Sequence, residues 1–208
     1  VPVGMLLNSF FLWSWRFTPN IIPDWNLPIR LTAITTINIT FWFIGAIIVV
    51  NLFSEIDPIL VGCFALGIGL IFGRWATRGF HPAPRGVNRV GLTSLASRGI
   101  AAAIAIGIAV WLSQQGSPLL AGIASVFPAI FLTTMVSLWL SQGEEVPSGA
   151  VGPMMLGSMS VSLYALATTR FIPLYGILSG SILSWAVSLL FISIPVVFYL
   201  GSPFIKNK

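Results

Sequence analysis

Charge is what this sequence has least of. Only 7% of its 208 residues are Asp, Glu, Lys or Arg, where an ordinary soluble domain carries roughly 25%. So few charges cannot hydrate a folded surface, which excludes a water-soluble domain of this length. Cysteine occurs once, at Cys63; this excludes an intramolecular disulfide and any multi-cysteine metal site. Histidine also occurs once, at His81, with no serine near it in sequence. The apolar runs hold no His, Asp, Lys or Arg well inside them, and neither a P-loop nor a dinucleotide fingerprint nor a metal-ligand spacing occurs. Catalysis, a cofactor and a metal are therefore not expected.

What is present is hydrophobic. Apolar residues make up 56% of the chain, gathered in long runs between short polar joints. A transmembrane helix needs about 20 such residues to cross the hydrocarbon core. The sequence therefore predicts an all-α, polytopic transmembrane helix bundle of about six spans, forming a single domain over residues 1–208. The net charge of +5 would suggest a nucleic-acid partner in a soluble chain. Here it reads as arginine collected in loops on the cytoplasmic side, so the expected partner is the lipid bilayer and not nucleic acid.

Val1–Trp15 is apolar but short for a span, and it lacks the basic leader and cleavage site of a signal peptide. It reads as the tail of a helix, as a candidate seventh span, or as an interfacial segment with Trp13 and Trp15 at headgroup depth. Arg16–Arg30 reads as a connector, because Pro19, Pro23 and Pro28 oppose a continuous helix, with Trp25 marking the interface. Leu31–Phe53 is the first secure span; its threonines are expected to bond to their own helix and Asn38 to a neighbouring one. The acidic turn Ser54–Asp57 follows, then a span from Pro58 to about Trp75 whose Gly62, Gly67, Gly69 and Gly73 suit close helix packing.

Arg74–Arg98 reads as a loop holding Arg74, Arg78, His81, Arg85, Arg89 and Arg98, beside anionic lipid headgroups. Gly99–Ser113 is a short Ala- and Gly-rich helix. Pro118–Ser141 is an apolar run that Pro128 should kink in its middle. After Glu144–Gly152 come a span over about Pro153–Thr169, a joint at Arg170–Pro173, and a last span to about Leu200 that contains Pro195. If each run after Arg30 crosses, Arg16, Arg30, the loop arginines, Lys206 and Lys208 fall on one side. Arg170, Glu55 and Asp57 fall on the other. That asymmetry predicts a cytoplasmic Arg74–Arg98 loop and C-terminus. The turns Ser54–Gly62 and Ser113–Gly122 echo one another, suggesting a weak parallel repeat of 31–75 and 96–141.

Chemistry should concentrate in Gly143–Tyr164. A helix opening near Pro153 after a Gly/Pro-broken stretch would present free N–H groups to an anion or polar solute. Ser158 and Ser162 share a face at i and i+4, while Thr133, Thr134 and Ser137 could line the opposing wall. Glu144 and Glu145 would stand at the mouth and suit a proton or cation. The plainer alternative is a solvated hairpin loop followed by serines that serve helix packing.

Arg98-Gly-Ile-Ala, the following short helix, Gln-Gln-Gly-Ser-Pro-Leu-Leu-Ala-Gly122 and Ser125-Val-Phe-Pro128 together resemble the small GlpM-like bacterial membrane proteins. The resemblance implies a small polytopic membrane protein of permease type and carries no functional residues with it. The reading that follows is a permease or transporter-like protein for a small solute or ion. Its rival is a non-catalytic subunit that anchors or assembles a membrane complex, either as a homo-oligomer or with other membrane partners.

Overall fold

The computed structural model describes residues 1–53, 56–78, 92–114 and 127–201. These are helical, with no strand among the described residues: α1 (Pro2–Ile21), α2 (Leu27–Phe53), α3 (Pro58–Arg78), α4 (Leu92–Ser113), α5 (Ala129–Gln142), α6 (Glu145–Ser188), a π-helical turn (Leu189–Ser193) and α7 (Ile194–Gly201). The repeat's second turn over 115–122, together with Glu55, His81, Arg85, Arg89, Lys206 and Lys208, lies outside the described residues.

Among the described residues, three stretches are long and apolar enough to cross a membrane: Leu27–Phe53, Pro58–Arg78 and Val146–Gly201. Their outward faces explain the composition. In α2 the buried positions are Leu31, Ile34, Asn38, Trp42 and Ala46, a single stripe at helical spacing. Ile37, Phe41, Ile44, Ile48 and Leu52 are each at least half exposed. Apolar area of that extent is tolerable against lipid and not against water.

The bundle is organised around α1, which packs against α2, α3 and α6. Of the readings of Val1–Trp15 the helical one is found, and the connector expected from Arg16 onward is not found over Arg16–Ile21. Phe11, Leu12 and Trp15 are buried to within 1%, and the helix continues through Arg16 to Ile21. Pro28 falls in the first turn of α2, whose N–H groups lack helix partners anyway. Pro19 stands inside the last turn of α1, where its missing N–H removes the helical donor to the Trp15 carbonyl, and the helix ends two residues later. Only 22–26, around Pro23, is left non-helical. Trp25 is exposed there, while Trp15 packs inside, edge-on to Trp139 of α5.

α3 and α6 run antiparallel at close range through the expected glycines. A Cβ added at Gly73 would lie 3.2 Å from the backbone nitrogen of Leu156, and one at Gly152 would lie 3.1 Å from Cα of Thr77. Gly69 and Gly62 meet Met159 and Leu166 farther along the same contact. Small residues here let the two backbones approach.

Several boundaries differ from those expected. Arg74–Arg78 belongs to α3 and the stretch from Leu92 through Arg98 to α4, so the expected Arg74–Arg98 loop is helical at both ends. Pro128 caps the start of α5 instead of kinking a helix midway, since proline is most easily accommodated ahead of the first hydrogen-bonded turn. Glu144–Gly152 is not a loop: α6 begins at Glu145 and carries Pro153 inside it. The joint expected at Arg170–Pro173 lies instead at Gly176, whose φ of 79° only glycine adopts readily. Beyond it the chain folds back on itself. The Ser188 hydroxyl donates to the Ser160 carbonyl at 2.6 Å, and Gly180 abuts Ile172. Pro195 is accommodated by the preceding π turn, in which the Ile194 N–H reaches back five residues to the Leu189 carbonyl.

Candidate functional site

Helix ends converge where α1 finishes, α2 begins, α3 finishes and α6 begins, and two arginines hold them. Arg16 is only 5% exposed. Its Nη1 donates to the Ala76 carbonyl at 2.9 Å, and Nη2 and Nε donate to the Ser148 carbonyl at 3.3 and 3.4 Å. Ala76 lies in the last turn of α3, where carbonyls have no helical partner and carry the negative end of the helix dipole. A cation from α1 therefore caps α3 and ties it to the first turn of α6.

Arg30 does the same for α1. Its Nη2 donates to the Pro19 carbonyl at 3.0 Å, another orphan acceptor in a last helical turn. The same fork grips Glu144 in bidentate fashion, at 2.9 Å from Nη1 to Oε2 and 3.2 Å from Nη2 to Oε1. Asp24 reaches Nη1 at 3.1 Å with its side chain 94% exposed. Glu144 makes no side-chain cap to α6; its carboxylate is committed to α2 instead. Exposed pairs contribute about 0–1 kcal/mol, and bidentate ones more. Asp24→Asn should therefore leave thermal stability in detergent unchanged, whereas Glu144→Gln should cost about 1 kcal/mol. Equal losses from the two would mean the bidentate geometry contributes nothing.

One turn deeper, the Asn38 amide donates to the Ile34 carbonyl at 2.7 Å and to the Thr18 hydroxyl at 3.2 Å, and its oxygen accepts from Ser14. Thr18 in turn donates to the Ser14 carbonyl at 2.7 Å. Farther along the α1–α2 contact, Trp42 Nε1 donates to Asn8 Oδ1 at 2.8 Å. The expected partnership of Asn38 with a neighbouring helix is thus present, and that neighbour is α1. On the far edge of the site, Arg74 lies over the Tyr199 ring, 5.0 Å from its centroid.

Two of the hydroxyls expected along a polar wall bond within their own helices. Ser158 is buried and donates to the Met155 carbonyl of its own helix at 2.8 Å. Thr133 likewise donates to Ala129 at 2.9 Å. Ser137 offers its carbonyl to Ser141, and Thr134 is buried in α5. Pro153 is exposed on the outside of α6. Ser162 is fully buried with its hydroxyl unpartnered. Glu145 opens α6, and its side chain lies outside the described residues. Between α5 and α6 the core is filled by Met135, Trp139, Val151 and Met155.

Of the expected residues whose side chains are described, Glu144 alone joins the charged end. Arg16 and Arg30 were missed as site residues, although Arg16 carried a signal: it continues the buried positions Ser9 and Leu12 at helical spacing. Comparison with protein-family models, curated proteins and solved structures yields no match to this chain.

Proposed function

We propose that this chain is a permease or permease-like membrane protein for a small solute or ion, non-enzymatic, working from the end where Arg16, Arg30 and Glu144 meet. The single observation that carries the reading is Arg16. A guanidinium buried among helices whose outer faces are apolar is costly, and such residues usually mark a solute or ion path. Its neighbours supply the rest of a polar locus: the Arg30–Glu144 pair and the Ser14–Thr18–Asn38 network. On this reading α1 is a crossing helix in addition to the six that follow Arg30. The end bearing Arg16, Arg30, Arg74 and Arg78, the chain between α3 and α4, and the C-terminus face the cytoplasm, while Asp57 and Arg170 face away. The resemblance to GlpM-like proteins is part of the same proposal.

The experiment is uptake into proteoliposomes containing the purified chain, against a panel of small anions, cations and neutral solutes. We expect uptake of at least one, altered by a Glu144→Gln, Glu145→Gln variant and reduced about tenfold by Arg30→Lys, since lysine keeps the charge but loses the fork. Uptake that neither variant changes would detach this end of the bundle from the mechanism.

One observation favours the rival assembly reading. In α4, Gly99 and Gly107 have nothing among the described residues within 4 Å of where a Cβ would stand, a small-residue surface that suits another helix. Absence of uptake for every solute in the panel would decide for assembly.

A further inference from the structure

The last two turns of α3 carry cations that the described part of the bundle does not neutralise. Arg78 ends the helix and is exposed. Arg74 lies one turn earlier on the same face and rests over the Tyr199 ring at 5.0 Å. Among the described residues both ion pairs belong to Arg30, and neither Arg74 nor Arg78 has a carboxylate partner.

Beside these charges lies an aromatic surface. α1 and α3 run parallel, because Pro2 meets the Gly62 position and Arg16 Nη1 reaches the Ala76 carbonyl at 2.9 Å. Phe17 therefore stands level with the last turn of α3. Trp13, one turn deeper, meets Phe17, Phe72 and Trp75 with ring centroids 4.6, 5.9 and 6.3 Å apart. Phe72 and Trp75 stack at 5.9 Å with 17° between their planes. Trp75 is 57% exposed and Phe17 37%, so this seam opens outward and not into the core. Trp75 and Arg78, three residues apart on one helix, are neighbours on its surface. From the bundle end inward the order is cation, then aromatic faces, over the roughly 9 Å of helix between Arg78 and Phe72.

A free anion would use the cation and leave the rings idle. A phospholipid uses both, since its headgroup is drawn to basic residues at the membrane surface and aromatic rings sit at headgroup depth. We propose that Arg78, Trp75 and the Trp13–Phe17 shelf form a binding site for one anionic phospholipid. Its phosphate rests on the Arg78 guanidinium, and its glycerol and upper acyl methylenes lie against the rings. Arg74 supplies a second positive charge one turn away. The site needs the arginine end to lie at a membrane surface but does not need transport, so lipid retention and solute uptake fail separately.

The test is native mass spectrometry of the full chain in neutral detergent at low ionic strength, with phosphatidylglycerol and phosphatidylcholine added in equal amounts. We expect one phosphatidylglycerol retained per chain, favoured over phosphatidylcholine by about fivefold, the effect of one basic residue at a lipid surface. Arg78→Gln should abolish most of that preference. Arg78→Lys should keep it, because a headgroup phosphate also takes a point charge. Trp75→Ala should weaken retention of both lipids several-fold and leave the preference between them. Arg170→Gln, on the opposite side of the bundle, should change neither. Equal retention of the two lipids by the unaltered chain, a preference that survives Arg78→Gln, or retention indifferent to Trp75→Ala overturns the proposal. Displacement of the lipid by inorganic phosphate would assign the cation to a soluble anion and overturn it as well. So would a lipid-free dimer that Trp75→Ala dissociates, which would give the aromatic shelf to a second copy of the chain.

Discussion

Leucine in place of Gly73 or Gly152 is expected to prevent recovery of a monodisperse chain in detergent, or to lower its stability by about 3 kcal/mol at each position. The magnitude follows from what the new Cβ meets. At Gly73 it would stand 3.0 Å from Leu156 Cδ2 and 3.2 Å from the Leu156 nitrogen; at Gly152 it would stand 2.7 Å from Thr77 Oγ1 and 3.1 Å from the Thr77 Cα. A side-chain tip can turn away, but a backbone atom in a neighbouring helix moves only if the helix moves. Gly67 and Gly157 lie in the same two helices with nothing within 4 Å of the corresponding position. Leucine there should be neutral, or should stabilise by roughly 0.5–1 kcal/mol through better helix propensity. Thermal unfolding of the four variants, followed by fluorescence-detected size exclusion, separates contact from propensity. Similar losses at all four positions would mean that the α3–α6 approach is not what these glycines serve.

The α3 side of that contact was legible at Gly62, Gly69 and Gly73 because it depends on side-chain size at helical spacing. Gly67 faces open space, and neither α6 as the partner nor the part of Gly152 was read. Asn38 was legible for a related reason: an amide within a helix of this apolarity must find a partner. The prolines misled because their cost depends on position within a helix. Pro28 opens α2 where no N–H is needed, Pro19 removes a single bond in the last turn of α1, Pro153 sits within α6, and Pro195 is absorbed by a π turn. The reversal at Gly176 likewise depends on a positive φ, which the letter Gly permits without announcing. Counting prolines located the charged end too late in the chain. A helix starting at Pro153 put the free N–H groups there, whereas the helix that forms starts at Glu145 and joins Glu144 to Arg30, 114 residues away in sequence. No local pattern specifies that pairing.

Arg16→Met is expected to destabilise the chain by about 3 kcal/mol, the largest loss at any polar position in the bundle. Two opposed effects decide the sign. Methionine relieves the cost of keeping a guanidinium out of water, and buried ions can be replaced by apolar side chains without loss when their partners are replaced as well. Here the partners are main-chain carbonyls of Ala76 and Ser148, which no substitution at position 16 removes. The Ala76 carbonyl, in the last turn of α3, stays behind with its polar cost unmet. The Ser148 carbonyl loses its second donor, and the dipole end of α3 loses its cation. Lysine keeps the charge but cannot place separate, rigidly spaced donors on two different helices, so Arg16→Lys should recover only part of the loss. Guanidinium-specific bridging is therefore read from the difference between lysine and arginine, and the charge alone from the difference between lysine and methionine. Equal melting temperatures for arginine and methionine chains in the same detergent would show that α1 is held against α3 and α6 by packing alone, and would remove the buried arginine as support for a solute path at this end of the bundle.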